Sequence, residues 1–429
     1  MRRFKVLGIA AVWAVPAMFG IALGDRARTD GPTEAPTGFG VVDNGFVEEF
    51  CANQAFLAEE TDESPAIPPE ECNFDAAVEE FTGPEDTAAG LGPIFNAAGC
   101  GECHIANPIL GATSQITEKR AGLFNSQTGV FTDHPGGSLI QDRSFRPNEQ
   151  ERVIPANTNV IALRNTISVL GDGFVEAIGN STLQSIANNQ PSSQRGQLIN
   201  VPVLEKPGTT RVGRFGHKDQ QASLLSFSAD AYVNEMGITS PMQPDENTSN
   251  GTPVAEPPDA PPGIDDEGVD VALFALFMRS TLAPPVDPVI ANSQDAKAGS
   301  TLFNQIGCAT CHTRTIVTVA PGTLINGGAA RVSHTLGNKI IHPFSDFLLH
   351  DLGTGDGIVQ NGGASTRNKV KTAALWGLRA RGRFIHDNLS FNFQDAIARH
   401  GNQGASARAN FNALSTTNKN KLLVFLSSL

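Results

Sequence analysis

Four stretches of the chain carry apolar side chains at the spacing of short or buried helices. "VDVALFALFMRSTLAPP" is predicted to be a buried helix that stops at Pro284, and "STTNKNKLLVFLSSL" is predicted to be a helix with Ser415 or Thr416 as its N-cap. "EDTAAGLGPIFNAAG" and "SQDAKAGSTLFNQIG" each contain an apolar pair, Ile94-Phe95 and Leu302-Phe303, where a short amphipathic helix is expected. No stretch alternates convincingly as a strand would. The pattern predicts a mainly α fold, and 43 glycines and 27 prolines predict long irregular loops.

These helices form two pairs. In each pair, one helix precedes a short cysteine motif and the other ends the segment. The pairs predict two domains, at 83–284 and 291–429, joined by the stiff linker "APPVDPV". The first domain also holds a proline-rich stretch, "PMQPDENTSNGTPVAEPPDAPPGIDDEG", which is expected to be a surface loop. Residues 25–82 are acidic and rich in Thr, Pro and Glu, which predicts an extended or loosely folded leader.

The first 24 residues are typical of a signal peptide. "MRRFK" is basic, and the apolar stretch after it ends in small residues before Asp25. An uncleaved anchor is the alternative, because about nineteen apolar residues could just span a bilayer. Either reading predicts a periplasmic or otherwise exported protein. In an oxidising compartment Cys51 and Cys72 are expected to form a disulfide, whose loop closure would contribute about 3 kcal/mol.

The remaining cysteines lie in two copies of one motif, Cys-x-x-Cys-His. The copies consist of Cys100, Cys103 and His104, and of Cys308, Cys311 and His312. In this motif two thiols can form thioether bonds to haem, and the histidine can bind the iron. Zinc would need four ligands close together, and a redox pair would be expected near a βαβ pattern. Neither context is visible, so the motifs predict two covalently bound haem c groups.

The net charge restricts the classes of partner. The formal charge is −13, and loss of Arg2, Arg3 and Lys5 with the signal segment would make it −16 (−13 − 3). Such a balance argues against nucleic acid, which favours basic surfaces. It suits a small basic electron-transfer protein, of the cytochrome c or cupredoxin type, steered by charge. Ordinary solubility explains the charge equally well.

The chain resembles the di-haem oxidoreductases allied to bacterial di-haem cytochrome c peroxidases and to the di-haem methylamine-utilisation enzyme. The resemblance rests on "LGPIFNAAGCGECH", "RVGRFGHKDQQASLLSFSADAYVNEMGITSP", "IHPFSDFLLHDLGTGDG" and "TAALWGLRARGRFIHDNLSFNFQDAIARHG", and it covers most of residues 85–429. It implies two cytochrome c-type domains that face each other, with peroxidase-type or related oxidative chemistry at one haem.

The second haem is expected to have His400 as its sixth ligand. No Met lies beyond Met278 and the sole Tyr is Tyr232, so the second domain can offer neither. "SFNFQDAIARHGNQG" is predicted to be a helix capped by Ser390, with His400 in its last turn. The resemblance puts His400 where the peroxidases have a distal Met. The alternative is a cation resting on the negative end of that helix. For His342, His350 and His386, hydrogen-bonding roles are expected.

The sixth position of the first haem is left open by the sequence. An open iron, His134 and His217 are the alternatives. The resemblance implies that Glu235, in "NEMG", is a distal acid that moves a proton between the oxygens of peroxide; a helix-surface carboxylate is the plain alternative.

Two further positions bear on the resemblance. Gly171 stands where the peroxidases have a Trp between their haems, and Trp376 is the sole Trp beyond the signal segment. Asn157 is a candidate for the family's interdomain calcium site.

The sequence therefore predicts an exported di-haem oxidoreductase with peroxidase-like chemistry at the first haem, and peroxide or another small molecule as substrate. The second haem would relay electrons. The rival hypotheses are an electron-transfer cytochrome without catalysis, and an oxidase of thiols or small molecules that uses the same haems.

Overall fold

The computed structural model describes residues 31–57, 67–106, 109–110, 115–149, 151 and 156–429. The predicted signal segment lies outside these residues. The description below concerns the unit from Pro32 to Leu429. The predicted division at 83–284 and 291–429 stays a prediction. Within the described part of the chain, no helix is long and apolar enough to cross a membrane.

The helices are short and are separated by long connections. In chain order, α1 to α12 are Phe46–Leu57, Phe74–Thr82, Cys100–His104, Asp172–Glu176, Asn180–Asn189, Leu224–Ala231, Val269–Ser280, Pro288–Ala291, Gln294–Gln305, Phe393–Ala398, Ala405–Ala413 and Thr416–Leu426. One turn of π-helix, Tyr232–Met236, continues α6. The predicted helices α7, α9 and α12 are confirmed, and α12 has the predicted cap, Ser415.

Strands are also numerous, and most are two or three residues long. In chain order, β1 to β18 are Thr33–Glu34, Ile94–Phe95, Ile105–Ala106, Ile109–Leu110, Ile116–Asn125, Val130–Asp133, Arg143–Ser144, Val160–Asn165, Asn200–Pro202, Thr210–Val212, Thr248–Ser249, Thr252–Pro253, Ile316–Val317, Leu324–Ile325, Ala330–Arg331, Lys339–Ile341, Leu349–His350 and Val370–Lys371. The longest, β5, pairs antiparallel with both β6 and β8.

The prediction of a mainly α fold is therefore wrong. Helices account for 34% of the structure and strands for 16%, a helical share that is ordinary for a globular protein. Ile94-Phe95 forms strand β2, paired with β7, where a helix was expected. Strand β8 was not predicted because it exposes apolar side chains and buries a charged one. Ile161 and Leu163 are exposed, whereas Arg164 is fully buried. A search for alternating apolar residues cannot find such a strand.

The described parts of the acidic leader, residues 31–57 and 67–82, contain regular structure. Strand β1 pairs with β16, and the predicted disulfide between Cys51 and Cys72 is present near helices α1 and α2. Phe81 of α2 packs against Phe274 and Phe277 of α7. Apolar side chains on α2 therefore give the leader enough burial to fold against the core.

The second cysteine motif is supported by α9 and α12, which pack together. Phe303 of α9 meets Phe425 of α12 edge to face, with ring centroids 5.4 Å apart. Gly299 allows the close approach, because a Cβ there would overlap the backbone of Lys421. This pair of helices forms one wall of the cavity described below.

A buried ammonium group joins distant parts of the chain. Nζ of Lys218, which is fully buried, donates to Oδ1 of Asp356 at 3.1 Å and to the backbone carbonyls of Thr366, Arg367 and Lys369 at 2.8–3.0 Å. Arg164 on β8 donates to the other carboxylate oxygen of Asp356. These bonds fix the loop before β18 against the first half of the chain.

A second buried ion pair holds α4 against α7. Glu176 accepts bidentate hydrogen bonds from Arg279, at 2.7 and 3.0 Å, and a third bond from the backbone N–H of Leu224. The pKa of Glu176 is lowered to about 2, because these groups and Arg211 outweigh the burial that would raise it. A carboxyl whose folded pKa is lowered stabilises the fold above its unfolded pKa, and that stability is lost as the pH falls towards the folded value.

We predict that Glu176→Gln lowers the free energy of unfolding at neutral pH by about 3 kcal/mol, since Arg279, whose side chain is 12% exposed, loses its counter-charge. The loss of stability on acidification from about pH 4.5 to pH 2 should also be smaller in the variant. Urea unfolding at several pH values measures both effects. Glu48→Gln, on the exposed face of α1, is the matched control. If the variant loses as much stability on acidification as the parent does, Glu176 is not responsible for that loss.

Candidate functional site

The second motif opens onto a cavity. Helix α9 ends at Gln305, and a 3₁₀ turn, Cys308–Thr310, follows and presents both thiols and His312 to one side. The cavity has a volume of about 230 Å³, and His312 and His400 both line it. The motif and its predicted partner therefore face the same space.

The His312 imidazole has a fixed orientation. Its Nδ1–H donates to the backbone carbonyl of Phe344 at 2.9 Å. Burial lowers the pKa of His312 to about 4, with a further contribution from His400, so the ring is neutral at physiological pH. A neutral imidazole whose Nδ1 is engaged offers Nε2 as a metal ligand.

His400, which lines the same cavity, has the same arrangement. It follows α10, whose cap is Asn392 rather than the predicted Ser390. Its Nδ1–H donates to the carbonyl of Ala396 at 2.7 Å. Among the described residues neither His312 nor His400 has a hydrogen-bond partner at Nε2.

The separation of the two rings fits a shared metal. The ring centroids of His312 and His400 are 6.3 Å apart. With metal–nitrogen bonds of about 2 Å, two imidazoles that bind one metal from opposite sides have centroids roughly 6 Å apart. The structure thus brings together the two residues that the sequence assigned to the second haem.

The walls of the cavity suit a large, flat apolar group with acidic edges. They include Phe303, Leu378, Phe384, Phe393, Leu422 and Leu426. Arg381 also lines the cavity, and burial lowers its pKa. Within the described part of the chain no carboxylate pairs with its guanidinium. A haem propionate would supply the missing counter-charge, so the residues fit haem.

The other histidines after residue 312 have different surroundings. His334 and His342 lie at the surface beside Glu49 and Glu34. His350 and His386 line the cavity. Nε2 of His350 forms a hydrogen bond with the carboxylate of Asp346, in agreement with the hydrogen-bonding role expected for His350.

Cys311, Asp346 and His350 lie close enough to share a metal ion, so zinc has to be considered as an alternative to haem at this motif. Cys308 does not belong to that group, whereas a structural zinc site takes four ligands. Burial also raises the pKa of both Cys308 and Cys311 to about 12, so the thiols are protonated. Among the described residues the group therefore offers three ligands, one fewer than a structural zinc site takes.

The first motif forms the short helix α3, which carries Cys100, Cys103 and His104. The ring of His104 lies beside Phe81, with centroids 5.7 Å apart. Cys100 packs against the core formed by α2 and α7. Burial raises the pKa of both thiols to about 12. Two thiols and an imidazole beside an apolar core again fit haem.

Glu235 lies beside this motif, in the π-helical turn after α6. Its carboxylate accepts a hydrogen bond from the amide of Asn96 at 2.6 Å, and its carbonyl accepts from the backbone N–H groups of Asn96 and Ala97. Burial and the nearby Glu118 raise the pKa of Glu235 to about 7, although Asn96 and Arg120 act in the opposite direction. Its charge also raises the pKa of Cys103. The carboxyl can therefore both give and accept a proton near neutral pH.

The two histidines proposed for the sixth position of the first haem are both in hydrogen bonds. His134 is buried, and its Nε2 bonds to the hydroxyl of Thr158 at 2.7 Å. His217 bonds to the carbonyl of Asn165 and lines the cavity of the second motif. Asn157, the calcium candidate, lies in an exposed turn.

Trp376 was not foreseen as a neighbour of Gly171. A Cβ on Gly171, which has φ +79°, would lie 2.9 Å from the Trp376 ring. Trp376 also lines the cavity of the second motif. The indole thus packs against the position where the peroxidases have their Trp. Sequence reasoning also missed Asn96, Arg120 and Arg381, because none belongs to a motif.

The comparisons with known proteins agree with the motifs. The profile of the family described as "Di-haem oxidoreductase, putative peroxidase" matches residues 140–429. No curated protein matches the chain.

Several solved structures are similar to the chain at low identity. Hydrazine synthase from Kuenenia stuttgartiensis is 14% identical with a TM-score of 0.37, and the match covers 100% of this chain and 99% of that one. A MauG-like protein associated with microbial copper homeostasis is 13% identical with a TM-score of 0.36, over 86% of this chain and 91% of that one. The diheme peroxidase BthA from Burkholderia thailandensis is 17% identical with a TM-score of 0.24, over 38% of this chain and 50% of that one.

We predict that His400→Ala converts the haem of the second motif from low spin to high spin and leaves the other haem unaltered, because one of two opposed imidazoles is removed. Electronic absorption and low-temperature electron paramagnetic resonance (EPR) spectra of the ferric protein measure this change. His342→Ala removes a surface imidazole and serves as the control. If the His400 variant stays fully low spin, another residue holds the sixth position.

Proposed function

Because the chain belongs to the di-haem oxidoreductase family, we propose that it reduces peroxide at the first motif and passes electrons through the second. The chain is a haem-dependent oxidoreductase, and the site-specific roles below are the proposal. The observation that carries it is the partly buried carboxyl of Glu235 beside the first motif, with a pKa of about 7.

The residues that would hold the cofactors are the two motifs. Cys100 and Cys103 would attach one haem and Cys308 and Cys311 the other, with the adjoining histidines as iron ligands. When bound, haem supplies an iron that exchanges electrons and can activate peroxide. Different surroundings support different roles for the two sites: an opposed imidazole pair in the second, and a titratable carboxyl in the first.

Glu235 would hold and move the proton. Reduction of hydrogen peroxide to water requires that a proton leave one oxygen and reach the other. A carboxyl with a pKa near 7 is a mixture of acid and base at neutral pH, so it suits both halves of this transfer. Asn96 fixes its orientation through the 2.6 Å hydrogen bond.

The electrons would come from a small redox protein. The net charge of −13 favours a basic partner of the cytochrome c or cupredoxin type. The Cys51–Cys72 disulfide and the signal-like first 24 residues support export to the periplasm or a similar compartment.

Two covalent haems per chain are the first expected outcome. The intact mass of the exported protein should exceed the polypeptide mass by two haem groups, and denaturation should release neither, because thioether bonds are covalent. Changing both Cys308 and Cys311 to Ala should remove one of the two. A mass increase of one haem in the parent protein, or bound zinc, would contradict the proposal.

Glu235→Gln keeps the shape of the side chain and removes the transferable proton. The rate of the spectral change on adding hydrogen peroxide should fall by about 10²–10⁴-fold, which is typical for loss of an acid–base group. Stopped-flow absorption measures the rate, starting from both the ferric and the half-reduced protein.

The control for this change is Glu79→Gln, an exposed carboxyl on α2. Haem content and reduced spectra should be unaltered in both variants. A normal rate in Glu235→Gln would remove this residue from the reaction. If the parent protein shows no reaction with peroxide in either redox state, the electron-transfer role without catalysis is favoured instead.

A further inference from the structure

Tyr232 is the sole tyrosine of the chain, and it is buried. It begins the π-helical turn that also carries Glu235. Single π-helical turns within α-helices are frequent at functional sites. The peroxide chemistry proposed above does not use this residue.

The phenol of Tyr232 lies between two carboxylates. Its hydroxyl is 3.2 Å from Oδ2 of Asp270 and 3.4 Å from Oε1 of Glu85. Burial, followed by the charges of Asp270 and Glu85, raises the pKa of Tyr232, so the phenol stays protonated. Burial and the nearby Asp266 and Glu85 raise the pKa of Asp270 to about 6, which still leaves it mostly ionised at neutral pH and able to accept a proton.

A continuous series of aromatic rings connects Tyr232 to the first motif. Tyr232 meets Phe274 edge to face at 5.0 Å, and Phe274 meets Phe81 at 6.3 Å. Phe81 in turn lies 5.7 Å from the ring of His104. Electrons tunnel faster through packed atoms than through gaps, so this series couples the phenol to the histidine expected to bind the first iron.

The charges around the phenol favour loss of an electron. Glu85 and Asp266 act on Tyr232 together with Asp270. Positive charge that develops on the neutral phenol as it loses an electron is attracted by ionised carboxylates beside it. An immediate proton acceptor avoids a charged phenol cation in a buried site.

We propose that Tyr232 is a redox-active residue that gives one electron to the first haem site after its oxidation by hydrogen peroxide, while its proton passes to Asp270. This inference rests on the proposed function and adds a site where an oxidising equivalent is held.

The step balances as follows. Two electrons, with two protons from solvent, convert hydrogen peroxide into two waters. Tyr232 supplies one of these electrons, and the small redox partner supplies the other. The phenolic O–H bond breaks, Asp270 becomes a neutral carboxylic acid, and a neutral tyrosyl radical remains. One electron from the small redox partner, with return of the proton, restores the phenol.

A single tyrosine makes the test unambiguous. The holoprotein is mixed with hydrogen peroxide, frozen rapidly after mixing and examined by EPR. Parallel samples contain ring-deuterated tyrosine or ring-deuterated tryptophan. The inference expects an organic radical signal whose hyperfine width narrows with deuterated tyrosine alone. Tyr232→Phe should abolish that signal while haem content and the peroxide-induced absorption change are retained.

Asp270→Asn tests the proton acceptor independently. The radical yield should fall at least several-fold, whereas Asp75→Asn, an exposed carboxylate on α2, should leave it unchanged. Ultraviolet titration of the phenol gives a readout without peroxide: its onset of ionisation should move to lower pH in Asp270→Asn, since a negative neighbour is removed.

The other outcomes separate the two proposals. A signal that narrows with deuterated tryptophan alone would assign the radical to Trp376 and overturn the role of Tyr232. An absorption change with peroxide but no organic radical would also overturn it, while the proposed function stands. No absorption change at all would overturn both.

Discussion

The second site depends on two hydrogen bonds from imidazole to backbone. His312 donates from Nδ1 to Phe344, and His400 donates from Nδ1 to Ala396. Each bond fixes the tautomer and turns Nε2 towards the cavity. The 3₁₀ turn after α9 and the end of α10 matter because they hold the two rings 6.3 Å apart. Packing of α9 on α12 then supplies the apolar wall, and Arg381 supplies the positive edge.

The two motifs have different electrostatic surroundings. Around the second lie the imidazoles of His312 and His400, aromatic rings, Asp346 beside Cys311, and Arg381, with which no carboxylate pairs in the described part of the chain. Around the first lie Glu235 on one side and Tyr232 with Asp270 and Glu85 on another. Carboxyls whose pKa values lie near 6 or 7 can exchange protons at neutral pH, whereas opposed imidazoles favour electron transfer without substrate binding. The proposed function accordingly places peroxide chemistry at the first motif and electron relay at the second.

The sequence predicted what depends on short-range chemistry. Spacing alone identified the two motifs, and the resemblance, together with the lack of Met and Tyr in the second domain, led to His400, whose ring lies 6.3 Å from that of His312. The helices α7, α9 and α12 followed from their apolar spacing. Strands of two residues have no period to detect, and β8 buries Arg164 while exposing Leu163, because Arg164 pairs with Glu118 and Asp356. Arg381, Asn96 and the contact of Trp376 with Gly171 depend on folding across long sequence separations, which no local pattern encodes.

The central claim is that each Cys-x-x-Cys-His motif carries one iron, and that the second iron lies between His312 and His400. A crystal structure of the exported protein with anomalous diffraction data collected on both sides of the iron absorption edge tests it directly. The account predicts two iron peaks, one beside His104 and one within bonding distance of Nε2 of both His312 and His400. A single iron peak, a zinc signal at either motif, or a second iron with His400 turned away from it would contradict the account.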